Sequence, residues 1–194
     1  VLIRADGQIL YTFASSVDDI DMGVTSIVRG ADHVTNTATQ IQIMQALGGT
    51  PPAFAHHSLL TGPQGEELSK RLGTLSLRDL REKGVAPEAL LSLMARLGSN
   101  QPVALRLSLD ELAEGFDLSQ FGASPTKFDA EDLWPLTRER NQHLPFDAVA
   151  DRIAAMGVPS EVAPQFWAVA RQNITRLDDL EGWWTLMRDG ATPV

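Results

Sequence analysis

The chain has 194 residues, of which 43% are hydrophobic, and carries a formal net charge of −9. This length is enough for one medium domain or for two to three small lobes, each with a modest core. The acidic balance argues against a simple electrostatic nucleic-acid binder, although a local basic patch on such a protein can still bind RNA.

The composition also limits the cellular setting. The chain has no cysteine, which excludes disulfides, thiolate metal sites and a cysteine nucleophile, and fits a reducing cytoplasm. No apolar run approaches the roughly 18 residues that a membrane-spanning helix needs, and no secretory signal is visible. We therefore expect a cytoplasmic protein without a membrane partner.

The first residues predict a β-hairpin. Residues 1–4 and 8–13 have the composition of strands, and Ala5, Asp6 and Gly7 between them suit a turn. Tyr11, the only tyrosine, would lie in the second strand. Because a strand that opens a chain usually has a neighbour before it, we expect the sequence to be a piece of a longer protein.

A helix and a buried strand follow the hairpin. Ser15 and Ser16 provide hydroxyl caps, and Asp18 and Asp19 place carboxylates in the first turn, where they complement the helix dipole. Residues 24–28 (VTSIV) are typical of a buried strand, which ends in Arg29.

The next segments repeat this alternation. Asn36 is the expected cap of a longer helix, which presents Ile41, Met44 and Leu47 on one face and ends at two glycines. Residues 53–60 (AFAHHSLL) predict another strand. The alternation predicts a parallel α/β sheet, whose ligands bind at the carboxyl ends of its strands. Arg29 and the loop after residue 60 both lie at such ends.

After this loop the sequence predicts only helices. Ser76 and Asp79 form a capping box, Pro87 suits a first turn, and Ser108 and Asp129 are caps. Further helices are expected at 146–156, 160–171 and 177–188. We place domain boundaries near residues 62 and 146, which gives an α/β part followed by an all-α part.

Arg29 is a candidate anion-binding residue, because its planar guanidinium can hold a carboxylate or a phosphate through two hydrogen bonds. The commoner alternative is an ion pair with Asp18, Asp19 or Asp32. Tyr11 could orient a substrate through its hydroxyl, although most such residues belong to a core.

Other kinds of site are poorly supported. The four histidines, His33, His56, His57 and His143, lack the spacing of metal ligands, so no metal site is expected. Neither a GxSxG nucleophile motif nor a Walker loop is present.

The loop GPQGEELSKR at residues 62–71 combines glycines with a basic pair. Lys70, on a loop at the carboxyl end of a strand, could reach a triphosphate and stabilise the charge on leaving pyrophosphate. Glu66 and Glu67 beside it oppose that role. The motif alone is weak support.

Taken together, these segments resemble bacterial glutamyl-tRNA synthetase, a class I aminoacyl-tRNA synthetase. YTFASSVDDIDMGVTSIVRGADHVTNT resembles the family's Tyr-led strand, Val-Asp-Asp helix and Arg-Gly-x-Asp-His turn. ELSKR resembles the second class I signature, KMSKS, and PEALLSLMARLG and TKFDAEDLW resemble the helical region that follows. The order and length of the match make the resemblance specific.

The resemblance implies a role for each matching residue. Arg29 would pair with the side-chain carboxylate of the glutamate substrate, and Lys70 would be catalytic, binding the ATP phosphates and stabilising the adenylation transition state. The other residues of the glutamate site would be Tyr11, Thr12, Phe13, Ala14 and Ser15. The ATP site would comprise Asp32 toward the ribose, Leu60 against adenine, and the signature residues Leu68, Ser69, Lys70 and Arg71. The family uses Mg²⁺ with ATP, and no dedicated protein ligands for it are visible.

The sequence departs from the family in three ways. Glu67 replaces the first Lys of the signature, and Ala31 stands where the family often has an acid. The first class I signature, His-x-Gly-His, is absent from these residues. We therefore expect the piece alone to be inactive in ATP–pyrophosphate exchange.

The resemblance divides the chain into three parts. Residues 1–62 would be the second half of a Rossmann-like nucleotide-binding fold, residues 63–146 the signature loop and a helical stem-contact domain, and residues 147–194 a partial helical anticodon-binding domain. The implied substrates are glutamate, ATP and tRNA(Glu), with a monomeric full enzyme. Two alternatives are a glutamyl-queuosine tRNA synthetase paralogue, which lacks the anticodon-binding domain, and a non-catalytic tRNA- or protein-binding module.

Overall fold

The computed structural model describes residues 2–66, 68 and 76–190. Strands and helices alternate in residues 2–61. From residue 76 onward the chain consists of helices and 3-10 turns joined by irregular segments, with one two-residue strand (Thr126–Lys127) where only helices were expected. The predicted order, an α/β part followed by helices, is therefore confirmed.

The amino-terminal segment forms a turn but little sheet. A single antiparallel bridge joins Ile3 to Ile9, and Gly7 adopts a φ of 84° in the turn between them. Helix α1 (Tyr11–Asp21) begins four residues before the expected cap Ser15. The prediction that Tyr11 lies in a strand is wrong. Leu10 has extended backbone at the N-cap, and its carbonyl accepts the N–H groups of the first turn.

A parallel βαβ unit follows. Strand β1 (Ser26–Gly30) leads through a 3-10 turn (Ala31–His33) into α2 (Val34–Ala46) and then β2 (Ala53–His57). The two strands pair in parallel, as predicted, with Arg29 opposite His56. One face of this small sheet is exposed, and Val28 on it is 53% accessible.

Helix α2 differs from its prediction at the start and on its buried face. His33 precedes the helix, and Asn36 lies inside it with its side chain 3.2 Å from His33 Nδ1. The buried side chains are Gln40, Ile43 and Met44. Leu47 is 51% exposed, because the helix ends before it and the chain turns at Gly48.

The strand expected at 53–60 is two strands in two sheets. β2 ends at His57, and β3 (Leu60–Thr61) pairs in parallel with β4 (Thr126–Lys127). The hydroxyl groups of Ser58 and Thr126 lie 3.1 Å apart at this junction. β3 therefore connects the α/β part to the helical part.

The helix start signals predicted after residue 75 are confirmed, whereas those at Ser15 and Asn36 are not. Ser76 and Asp79 form a reciprocal capping box, Pro87 occupies the first turn, and Ser108 and Asp129 accept backbone N–H groups as caps. The helices are α3 (Leu77–Glu82), α4 (Pro87–Met94), α5 (Leu109–Ala113), α6 (Leu133–His143), α7 (Ala150–Ala155), α8 (Ala163–Ala170) and α9 (Leu180–Asp189).

Two hydrophobic clusters organise these helices. The first comprises Leu80, Val85, Ala86, Ala89, Leu93, Leu105, Phe128, Leu133 and Leu136. The second comprises Val149, Ile153, Val158, Ala163, Phe166, Trp167, Ala170, Ile174 and Leu180. The amide of Asn141 on α6 donates to the carbonyl of Thr175 at 2.8 Å. The end of α6 is thereby tied to the segment before α9.

Within the described residues, no helix combines the length and the apolar composition that crossing a bilayer requires.

Candidate functional site

Arg29 is the centre of a hydrogen-bonded cluster at the carboxyl end of β1. Its Nη2 donates to Thr37 Oγ1 at 2.7 Å and to Gln40 Oε1 at 2.5 Å. The guanidinium carbon lies 5.3 Å from the centroid of the Phe54 ring on β2. The sheet and α2 together fix the direction of this cation.

A second layer of polar side chains supports these contacts. Gln40 Nε2 donates to Ser15 Oγ on α1 at 3.0 Å, and Thr37 Oγ1 lies 2.9 Å from His56 Nε2 on β2. Because the Thr37 hydroxyl accepts from Arg29, its single proton is available to either His56 or the His33 carbonyl 3.2 Å away. The cluster therefore joins α1, β1, α2 and β2.

Within the part of the chain that the structure describes, the charge of Arg29 is not paired with a carboxylate. Among the described residues, no ion pair involves Arg29, so the expected pairing with Asp18, Asp19 or Asp32 is wrong. Its partners are a hydroxyl, an amide oxygen and an aromatic face, all neutral. Its Nε is buried and has no acceptor in the described part of the chain. A fixed cation with neutral partners is suited to binding an anion.

The first turns of α1 border this cluster. Tyr11 is 63% exposed, with its ring centroid 6.4 Å from that of His33. Thr12 accepts hydrogen bonds through its carbonyl from Ser16 and, at 3.4 Å, from Ser15. Of the predicted residues on this segment, Ser15 is the one joined to Arg29, through Gln40.

The two other α1 residues of the predicted site, Phe13 and Ala14, are half-buried. Their backbone N–H groups donate to the carbonyl of Leu10. Both therefore belong to the first turn of α1, although the sequence predicted that Phe13 would end a strand.

Asp32 lies in the 3-10 turn directly after β1. Its carboxylate is 3.6 Å from His33 Nε2 and packs against Gly30, where an added Cβ would lie 2.4 Å from Asp32 Oδ1. Gly30 is therefore required for the observed position of Asp32. Within the described residues, no group of three or more His, Asp or Glu side chains is arranged to hold a metal ion.

The predicted ATP-site residues are only partly described. Leu60 is half-buried and packs against the first hydrophobic cluster, and Leu68 is 37% exposed. Ser69, Lys70, Arg71 and also Glu67 lie outside the described residues. The roles assigned to them stay predictions.

Glu66, one of the two acidic residues that precede the basic pair in the loop at residues 62–71, has a local structural role. Its backbone carbonyl accepts from Gly62 N at 2.7 Å, and its carboxylate accepts from Gln64 N at 3.0 Å. A Cβ at Gly62 would lie 1.7 Å from Glu66 Oε1. Glu66 therefore closes a turn, and this structural role explains the presence of one of the two acidic residues.

Sequence reasoning missed Thr37, Gln40 and His56. A signal for the first two existed, because residues 37, 40 and 44 share one face of a helix and two of the three are polar. A polar residue on a buried helix face is informative when it cannot be a cap. His56 gave no such signal.

Comparison with known proteins identifies the family. A family model described as tRNA synthetases class I (E and Q), catalytic domain, matches residues 1–135. The chain belongs to this family. The match extends beyond the predicted boundary at residue 62, and the three-part division of the chain stays a prediction.

The similar proteins are glutamate–tRNA ligases. The chain is 80% identical over 193 residues to glutamate–tRNA ligase 1 of Paracoccus denitrificans and 76% identical to glutamate–tRNA ligase 2 of Cereibacter sphaeroides. Each alignment covers 100% of this chain and 44% of the relative. The chain thus spans less than half the length of these relatives.

A solved structure supports the same family. The glutamate tRNA ligase from Elizabethkingia meningosepticum, crystallised in complex with its amino acid, superposes with a TM-score of 0.81 at 26% sequence identity. The superposition covers 94% of this chain and 41% of that one. The similarity therefore includes the helical region after residue 135 as well as the α/β part.

Proposed function

We propose that the chain acts within a glutamate–tRNA ligase, which uses ATP to activate glutamate as glutamyl-adenylate and then transfers it to tRNA(Glu). The names of its highly identical relatives support this proposal. The observation that carries it is Arg29, a cation held at the carboxyl end of a parallel strand by neutral groups.

In this proposal Arg29 binds the side-chain carboxylate of glutamate. The Nη2 group is occupied by Thr37 and Gln40, which fixes the guanidinium plane. A carboxylate approaching such a plane gains charge-assisted hydrogen bonds, which are about twice as strong as neutral ones. Tyr11, exposed at the start of α1, and Thr12–Ser15 would border the same substrate.

Lys70 is proposed to act on the phosphates of ATP. Its cation would stabilise the charge that develops on pyrophosphate as the adenylate forms. Asp32, Leu60, Leu68, Ser69 and Arg71 would complete the ATP site. Mg²⁺ would neutralise phosphate charge when it enters with ATP, and we assign it no ligands among the described residues.

The helical part is proposed to contact tRNA. Residues 63–146 would contain the signature loop and a stem-contact domain, and residues 147–194 would belong to an anticodon-binding domain. The two separate hydrophobic clusters are compatible with such a division. We further propose a cytoplasmic enzyme that is monomeric as a whole.

Glutamate-dependent ATP–pyrophosphate exchange tests the proposal, using the protein made from the complete reading frame. Arg29→Ala is expected to raise the KM for glutamate by about 100-fold, or about 2.7 kcal/mol, because a buried charged hydrogen bond is lost. The KM for ATP should change little. The matched control is Arg4→Ala, since Arg4 is exposed and its guanidinium hydrogen-bonds only to Gln8 among the described side chains.

The outcomes separate the candidate functions. Exchange that requires glutamate and depends on Arg29 supports the ligase. A complete protein that binds tRNA but gives no exchange would instead support the non-catalytic module.

A further inference from the structure

Gln40 is an unusual residue on the buried face of α2, because its side chain is polar. It is only 1% exposed and shares that face with Ile43 and Met44. A buried amide destabilises a protein unless both its ends are hydrogen-bonded. Here the oxygen accepts from Arg29 at 2.5 Å and the nitrogen donates to Ser15 at 3.0 Å. Because Arg29 has only donors, the amide oxygen must face it.

A glutamate at position 40 would have nearly the same shape and could also accept from Arg29. It would differ in one respect, because its carboxylate would neutralise the guanidinium. The glutamine fixes Arg29 without pairing its charge, and the hydroxyl of Thr37 does the same from the preceding turn of α2. Because residue 40 is uncharged, it does not neutralise the positive charge of Arg29.

We propose that Gln40 is a specificity-determining positioning residue, whose uncharged amide orients Arg29 and leaves its positive charge for a side-chain carboxylate. The inference rests on the proposed function. Glutamate and glutamine differ at the one group that Arg29 would contact, and the matching family model covers the E and Q synthetases together. A site with an unpaired cation favours glutamate, and a neutralised site loses this preference.

The test uses pyrophosphate exchange by the complete protein with three variants. Gln40→Glu is expected to raise the KM for glutamate at least 30-fold and to reduce the preference for glutamate over glutamine at least tenfold. Gln40→Met removes the hydrogen bonds but adds no charge, so it should raise the KM for glutamate about threefold to tenfold and keep the preference. Gln42→Glu, exposed on the same helix, should stay within twofold of wild type. The KM for ATP should be unchanged in all three.

An unaltered glutamate-over-glutamine preference in folded Gln40→Glu would overturn the inference while leaving the proposed function intact. If Gln40→Glu is not recovered as a folded protein, Gln40→Met decides. An unchanged KM for glutamate overturns the inference, and a selective rise supports it. Wild-type protein without glutamate-dependent exchange would overturn the proposed function first, and this inference with it.

Discussion

The α/β part at residues 2–61 and the carboxy-terminal section of the helical part, residues 146–190, bury their side chains in different ways. In the helical part, the second hydrophobic cluster includes Phe166, Trp167 and Ile174, all no more than 2% exposed. In the α/β part, the buried side chains are Ser16, Gln40, Ile43 and Met44. Half of these are polar.

The two parts differ because the α/β part has to fix the position of a charged side chain. The buried polar groups of the α/β part fix a cation, and they replace apolar contacts that would otherwise stabilise α1 and α2. Sites that bind charged ligands commonly have fewer apolar contacts, and are less stable, for this reason. We expect the α/β part to open at a lower free energy than the helical part.

The largest expected effect is on the helical part. Trp167→Ala should lower the free energy of unfolding by about 3–5 kcal/mol, because it leaves a large cavity. It also removes the indole hydrogen bond to the Leu144 carbonyl, which is 3.1 Å long. Urea unfolding followed by circular dichroism measures the loss. Val169→Ala, 53% exposed on the same helix, should stay within about 0.5 kcal/mol.

Met44→Ala tests the packing of the α/β part. Met44 is fully buried, so its truncation should cost about 2–4 kcal/mol. The effect should appear in hydrogen exchange as faster opening of α1 and α2, with α8 unchanged. Met22→Ala, at a residue 78% exposed, is the control. A loss as large as that of Trp167→Ala, spread over the whole chain, would show that the two parts are equally well packed.

The sequence predicted those parts of the fold that depend on neighbours in the chain. The capping box of Ser76 and Asp79 and the cap at Ser108 are hydrogen bonds across three residues, so the sequence pattern contains both partners. Strand β1 was predicted from a local apolar run, although it comprises Ser26–Gly30 where residues 24–28 were expected. The start of α1 was not, because Tyr11, Thr12 and Phe13 are good strand formers and packing against α2 overrides that preference.

Contacts between distant residues could not be predicted. The β3–β4 pair brings together residues such as Thr61 and Thr126, which are 65 positions apart. The two side chains that accept hydrogen bonds from Arg29 come from α2, the aromatic ring beside it comes from β2, and the supporting hydrogen bonds come from α1 and β2. The sequence predicted the cation but gave an acid as its commoner partner. Only the fold decides which side chains surround it.

The smallest effect concerns a polar contact at the edge of the helical part. Burial is the largest influence on Asp179 and raises its pKa, but the N–H groups of Arg176 and Thr175, together with the Arg176 guanidinium, hold the net pKa below its ordinary value. The folded state therefore binds this proton more weakly than the unfolded state does. Asp179 stabilises the fold above the unfolded pKa of about 3.9, and this stability is lost as the pH falls through the lower folded pKa.

Asp179→Asn should therefore cost about 1 kcal/mol at pH 7, and the difference from wild type should shrink as the pH falls through the lowered pKa of folded Asp179. Urea unfolding at several pH values measures this. Asp178→Asn is the control, since Asp178 is exposed in its pair with Arg152 and should contribute under about 0.5 kcal/mol. A pH-independent cost for Asp179→Asn would contradict the role of its charge. A cost as large as that of Trp167→Ala would mean that the helical part, like the α/β part, depends on its polar contacts.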